Sequence, residues 1–281
     1  MAERKHAKDS AALAGGRKES LLEAQERHWA EAQQMTLFSN TFMSVTLEDP
    51  LACQYVLRIL LGKRDLIVRE VRTQYRISKL ASHDAILDVL AEDSKGRLYN
   101  IEVQRADTVD HARRTRLYGA MIDSAYLEKG KDYARMPEVH IIYISETDLW
   151  KAGRCVYPVK KYFDGTDISY DDGIHVMYVN AAVNDGTDVA KLMEYFKTAD
   201  PEDASRGDLS KRVHLLKREE RGKEIMCEVT EKWLNEGELL KAKKTALNLA
   251  DMGLTLEKIA KAVEVNVATV RKWLDGAAVT R

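Results

Sequence analysis

Residues 84–104 carry the chain's most chemically loaded pattern: Asp88, Glu102 and Gln104 set among alternating apolar positions (Leu87, Val89, Ala91; Ile101, Val103). The alternation predicts two strands. Ser94-Lys95-Gly96 fits a three-residue hairpin loop with glycine in the left-handed position. A hairpin centred on Lys95 sets Asp88 opposite Glu102, and side-chain alternation puts Gln104 on the same strand face as Glu102. Cross-strand Cβ atoms are about 5 Å apart, and like charges placed there repel. Two acids so placed on buried strands ask for a cation, and a hard divalent ion with oxygen ligands is the natural one. Such an ion lowers the pKa of a bound water and draws charge from a phosphoryl oxygen, which is the chemistry of phosphodiester hydrolysis. The alternative is a hairpin whose acids simply face water, since Asp and Glu are common on polar sheet faces. Asp84 shares a face with Asp88 but lies about 13 Å along the strand, too far for the same ion.

The neighbouring segments must hold this hairpin in place. Residues 36–47 are apolar enough to dock on a core. Asp49-Pro50 is a helix-start signal, an N-cap acid followed by proline at the first helical position, and Gly62 stops that helix. Residues 65–77 alternate loosely and read as a strand. A helical pattern follows over 108–129, with Arg113, Arg114 and Arg116 making its first half basic. The run 139–144 is almost wholly apolar, as expected of a buried strand. Strand-like runs at 155–163 and 175–179 and a short helix at 188–198 complete the order. Residues 209–251 are helix-permissive, interrupted by Gly222 and Gly237.

These residues carry a resemblance. The acid pair Asp88 and I-E-V-Q from Ile101, then R-x4-Y at Arg113 and Tyr118, is similar to the PD-(D/E)XK nuclease superfamily. More narrowly, L-D-V-L-A-E-D-S-K-G-R-L-Y-N-I-E-V-Q, the later L-E-K-G-K-D-Y and the apolar strand beyond resemble the Rpn family of recombination-promoting nucleases and transposases. The likeness covers roughly residues 41–149. It implies an α/β protein with a restriction-endonuclease-like mixed sheet flanked by helices. It also implies that Asp88, Glu102 and the Val103 carbonyl hold the metal, Mg²⁺ with Mn²⁺ as a substitute, and that Glu48 or Asp49 supplies the first acid. For Asp49 the N-cap role competes. Gln104 stands where the superfamily usually has lysine and where Rpn-like proteins generally have glutamine. It can orient water or phosphate but brings no positive charge. Arg113 and Tyr118 are candidate DNA contacts, an arginine there being able to hold a phosphate bidentately. A solvated face, an ion pair with Glu102 or core packing are the competing roles.

Residues 255–274 read as two short helices about a turn near Glu264, and they resemble a helix-turn-helix with Ile259, Ala260, Val263, Val265, Val270 and Trp273 as its core. In that reading Ala268, Thr269, Arg271 and Lys272 enter the major groove; the alternative is a small helical cap. Residues 241–281 hold eight Lys/Arg against four Asp/Glu, a local positive charge suited to DNA. The whole chain, 281 residues, 45% hydrophobic, 32% charged and of net charge -1, has an ordinary soluble composition. Cys53, Cys155 and Cys227 form no C-x-x-C pair, which argues against a zinc ribbon or disulfide framework. His83, His111 and His140 show no ligand spacing. No apolar run is long enough to span a membrane and the N-terminus does not read as a secretory signal, so a reducing cytoplasm is expected.

The sequence therefore leads to four parts: a charged arm (1–34), a nuclease-like domain (35–200), a helical extension (201–253) and a helix-turn-helix-like segment (254–281). The expected function is a Mg²⁺-dependent DNA endonuclease serving recombination or a mobile element. It would need no small-molecule cofactor and no membrane, and a homodimer is left open. The alternatives are a catalytically weak or inactive nuclease-fold protein that binds DNA or assembles, and a regulator acting through the C-terminal helices.

Overall fold

The computed structural model describes residues 21–77, 85–105, 110–127, 130 and 132–278. Most of the charged arm, His83, Asp84 and the expected helix ends at 108–109 and 128–129 lie outside the described residues.

Three helices lead in: α1 (Leu21–Gln34), α2 (Asn40–Leu47) and α3 (Pro50–Leu61). The Asp49 carboxylate caps α3 by accepting from the Leu51 and Ala52 amides, and Gly62, at φ +64°, ends it in the left-handed conformation, as its sequence signals require. Next come β1 (Val68–Ile77), β2 (Ala85–Asp93) and β3 (Leu98–Gln104), then α4 (His111–Tyr126), which crosses over to β4 (Val139–Ser145). After β5 (Val156–Pro158) and β6 (Ile174–Asn180) the chain is helical: α5 (Asp188–Thr198), α6 (Gly207–Arg218), α7 (Glu220–Asp251), α8 (Leu256–Ala262) and α9 (Val267–Ala278).

The six strands form one mixed sheet in the order β1-β2-β3-β4-β6-β5. β1, β2 and β3 run antiparallel, whereas β4 and β6 run parallel to β3. A parallel neighbour needs a crossover, which is why α4 sits between β3 and β4. Helices cover both faces. On one, Phe42, Leu57, Phe196 and Val213 pack over Val89, Ile101, Val103 and Ile144. On the other, Tyr118, Met121 and Ile122 of α4 pack over Leu90, Leu98, Ile141 and Tyr143. A Cβ at Gly119 would come within 3.3 Å of the Ile141 and Ile174 side chains, so the glycine lets α4 lie close on the sheet. This is a restriction-endonuclease-like architecture followed by C-terminal helices.

Two expectations shift. The helical region breaks at Glu219, between α6 and α7, and α7 runs through both Gly222 and Gly237. A Cβ at Gly222 would lie 1.9 Å from the Leu215 carbonyl, so this glycine permits the close contact of α7 with α6 and does not interrupt the helix. Of the strand expected over 155–163, only Val156–Pro158 pairs regularly with β6; the Val159 amide still donates to the Val176 carbonyl at 2.9 Å, and Tyr162 then pairs with Ser169. It is the edge strand of the sheet, the position at which a sheet tolerates a proline. Among the described residues no helix is long and apolar enough to cross a membrane.

Candidate active site

The β2–β3 hairpin sets the site. Its pairs run from Glu92↔Leu98 to Val89↔Ile101, and the same register puts Asp88 opposite Glu102. Asp93 stabilises the turn. Its carboxylate accepts from the Lys95 and Arg97 amides, the Arg97 guanidinium and the Tyr99 hydroxyl at 2.8–3.0 Å, and Gly96 takes φ +75°. Beyond Val89 the carboxylates take the place of the ladder. The Asp88 amide donates to Glu102 Oε1 at 3.1 Å, and the Val103 amide donates to Asp88 Oδ2 at 3.1 Å. The two acids are thus fixed by each other's strand.

Both are buried, Asp88 6% and Glu102 1% exposed, so they do not simply face water. Burial first, then the Asp88 carboxylate, pushes Glu102 up to about 8, against the Tyr118 hydroxyl, the Asp88 amide and Arg114. Burial also raises Asp88, opposed by the Val103 amide, Arg114 and Gln74. Glu102 Oε2 is buried without a hydrogen-bond partner; Arg114 Nη2 stands 4.0 Å away. A buried acceptor left unpaired costs about 1–3 kcal/mol, more when charged. A pair of carboxylates with one orphaned oxygen is a donor set that suits a hard divalent cation.

Gln104 and Tyr118 meet through Arg114. The Arg114 guanidinium donates to Gln104 Oε1 at 2.6 Å and to the Tyr118 hydroxyl at 2.5 Å, and lies 5.4 Å from the centre of the Tyr118 ring. Tyr118 itself is buried. Arg113 is turned away: its side chain is 78% exposed and pairs with Asp110, the N-cap of α4, at 3.2 Å. The helix explains the difference. Arg114 and Tyr118 are four residues apart and share a face, while Arg113 does not. That spacing was the signal available in R-R-T-R-L-Y.

Two further residues touch the site that sequence reasoning did not select. Gln74 lies within β1 at φ +49°, a left-handed backbone that costs a non-glycine residue about 1 kcal/mol or more. Its amide reaches Ser44 Oγ at 3.0 Å and Asp88 Oδ1 at 3.5 Å. Ser44 is buried in α2, so α2 is linked to Asp88 through Ser44 and Gln74. No sequence pattern marks either residue. Of the candidates for a first acid, Glu48 is exposed and Asp49 caps α3. Both act on Arg212 of α6.

The C-terminal helices pack on the end of α7 through Ala246, Ile259, Ala260 and Val270, with Val263, Val265 and Trp273 around them. Glu264, at φ +56°, occupies the left-handed turn position where glycine would be free of strain. Thr269 is engaged with the Asn266 cap through both its amide and its hydroxyl, while Ala268, Arg271 and Lys272 are exposed. A cleft of about 660 Å³ lies between α7 and the β1–β2 edge, lined by Gln74, Arg76, Lys232, Trp233, Lys243 and Trp273 among others.

Comparison with curated proteins finds no match, nor does comparison with solved structures. A family model does match, that of the PD-(D/E)XK nuclease family transposases, over residues 66–252, about two-thirds of the chain. Nucleases of this type generally use divalent metals. The match runs from β1 through the acid hairpin, α4 and the rest of the sheet to the end of α7, and the chain belongs to the PD-(D/E)XK nuclease family transposases.

Proposed function

We propose that this chain is a divalent-metal-dependent DNA endonuclease that hydrolyses phosphodiester bonds in the service of recombination or a mobile element. One observation carries the reading: Asp88 and Glu102 are buried together, each held by the other's strand, with Glu102 Oε2 lacking a close hydrogen bond. Asp88, Glu102 and the Val103 carbonyl would hold Mg²⁺ or Mn²⁺. When bound, the ion would acidify an attacking water and neutralise charge on the phosphate.

The chain's own groups do the rest. Gln104 orients water or a phosphate oxygen. Arg114, tied to Gln104 and Tyr118, brings to the site the positive charge that glutamine lacks, and its planar fork suits a phosphate. Tyr118 holds Arg114 in place. Gln74 fixes Asp88 from the β1 side. The cleft beside Gln74, with its lysines and tryptophans, offers basic groups for the DNA backbone and aromatic faces for bases. Arg271 and Lys272 of α9 add a second DNA contact. Three free cysteines suit a reducing cytoplasm.

A second reading keeps the fold and loses the reaction. It rests on Gln104, whose carbonyl oxygen is already taken by Arg114 at 2.6 Å; the chain would then bind DNA or assemble without cutting it. Plasmid nicking decides, measured with and without Mg²⁺ or Mn²⁺ on the wild type, Asp88→Ala and Glu102→Ala. Metal-dependent nicking lost in both variants is expected. Nicking that persists in both sinks the proposed site, and binding without cleavage by the wild type establishes the second reading.

A further inference from the structure

A second group of ligating side chains gathers at the start of the parallel strands. Tyr99 of β3, His140 of β4 and His175 of β6 pair in register across the sheet. Their rings stack in a row: Tyr99 on His140 at 4.9 Å and 6°, His140 on His175 at 4.6 Å and 24°. Glu138 precedes β4, and its backbone carbonyl accepts from the Leu98 amide at 2.9 Å. The Val139 amide donates to the Gly173 carbonyl at 2.8 Å. The backbone thus sets the three side chains before any of them makes a contact.

The side chains converge. Glu138 Oε1 lies 3.0 Å from His175 Nε2 and 3.4 Å from His140 Nε2, and the three ligand atoms all fall within 4.8 Å of one another. His140 is 7% exposed, and its Nε2 is buried without a hydrogen-bond partner. His175 has the shorter approach to the shared oxygen, and His140 Nε2, 3.4 Å from it, is left without a hydrogen bond. A buried nitrogen in that state costs about 1–3 kcal/mol.

The geometry points to a transition-metal site of the Zn²⁺ class held by Glu138, His140 and His175. Zinc takes imidazole and carboxylate donors at about 2.0–2.2 Å, and tetrahedral angles then separate neighbouring donors by about 3.3 Å. The two separations from Glu138 Oε1 bracket that value. Two nitrogens and one oxygen favour zinc, cobalt or nickel over magnesium, which prefers oxygen alone. Glu138 and His175 are about 40% exposed, leaving a side open for water as a fourth ligand. The site is separate from the acid pair. Tyr99 and Glu102 are three residues apart on β3, which places them on opposite faces and about 10 Å apart along the strand. An ion there would join the starts of β4 and β6, at the other end of the strands from Gln104.

The test uses the full chain without a histidine affinity tag, freed of metal by chelator. Titration with Co²⁺ is read by the visible absorption of a tetrahedral cobalt centre, and Zn²⁺ is then added as competitor. One tetrahedral Co²⁺ centre per chain, displaced by Zn²⁺, is expected, whether or not the acid pair also takes an ion. His175→Ala and Glu138→Gln should each weaken binding by more than about 100-fold, since losing a group that only hydrogen-bonds a ligand already costs about 10–100-fold. Asp88→Ala should bind as the wild type does. Both tested ligands are partly exposed, so these variants avoid the core damage that His140→Ala risks. Absent binding, binding kept in both variants, or binding lost in Asp88→Ala overturns the site.

Discussion

Replacing Glu102 with glutamine separates the cost of the buried carboxylate from its use. In the metal-free chain burial, followed by Asp88, lifts this carboxyl from 4.5 to about 8. Its folded pKa is the higher one, so the stability it contributes is complete below about pH 4.5 and is lost progressively as pH rises toward about 8. At about 1.4 kcal/mol per pKa unit, the loss reaches about 4 kcal/mol near pH 7.5. Glutamine keeps an acceptor for the Asp88 amide and carries no charge. Its new amide group costs about 1–3 kcal/mol if it finds no partner. Glu102→Gln should therefore stabilise the metal-free protein by about 1–3 kcal/mol near pH 7.5 and lose that advantage near pH 5. Magnesium should act the other way. At about 100 times its Kd it adds about 2.7 kcal/mol to the wild type and nothing to the variant. Urea unfolding followed by circular dichroism, in chelator and in Mg²⁺, measures both. A variant no more stable than the wild type in chelator near neutral pH refutes the electrostatic argument. A variant that gains as much from Mg²⁺ refutes the ligand assignment.

Arg114→Ala should lower metal-dependent nicking by about 10²–10³-fold, the usual loss for one oriented donor. Arg113→Ala should leave it within about twofold, because an exposed ion pair contributes about 0–1 kcal/mol; initial nicking rates compare them. Gln74→Gly should destabilise less than Gln74→Ala in urea. Both lose the bonds to Ser44 and Asp88, but glycine alone relieves about 1 kcal/mol of left-handed strain. Asp93→Asn should cost about 2–3 kcal/mol near neutral pH by weakening the turn's charge-assisted bonds. Burial works to raise Asp93, but the Arg97 amide and guanidinium, the Lys95 amide and the Tyr99 hydroxyl hold it below the usual range. Its contribution is therefore present above the ordinary aspartate pKa and is lost as pH falls through the lowered one. The gap between wild type and Asp93→Asn, measured by unfolding in acid, should close there.

The elements of the fold were legible wherever local chemistry sets them. Asp49-Pro50 and Gly62 bound α3, the alternation around Ser94-Lys95-Gly96 produced the hairpin register, and the apolar run at 139–144 became the central strand β4. What local patterns could not show was contact between segments. Gly222 reads as an interruption from sequence, because only the approach of α7 to the Leu215 carbonyl reveals why it is glycine. Residues 159–163 have strand composition, but beyond the Val159 amide they leave β6 and pair with residues 168–170, a choice no local pattern shows. His140 and His175 carry no ligand spacing because 34 intervening positions separate residues that a parallel register sets side by side.

The same division runs through the acid site. Asp88 and Glu102 are neighbours by hairpin register, which the sequence encodes locally. The groups that complete them arrive from α2, β1 and α4. Ser44 and Gln74 gave no signal, since a strained glutamine inside a strand has no pattern of its own. Arg114 gave one in its four-residue spacing from Tyr118, which outweighs the more general likeness that singled out Arg113. This moves the question of activity away from Gln104 alone. A glutamine supplies no charge, but here it is bonded to an arginine that does, and that arginine stands 4.0 Å from Glu102 Oε2. On the proposed reading, cation and water-orienting functions that a lysine would combine are divided between two residues on adjacent elements. Gln104→Lys consequently should not simply restore a more familiar site: an ammonium placed against the Arg114 guanidinium would repel it, and the hydrogen bond that holds Arg114 over the acids would be gone.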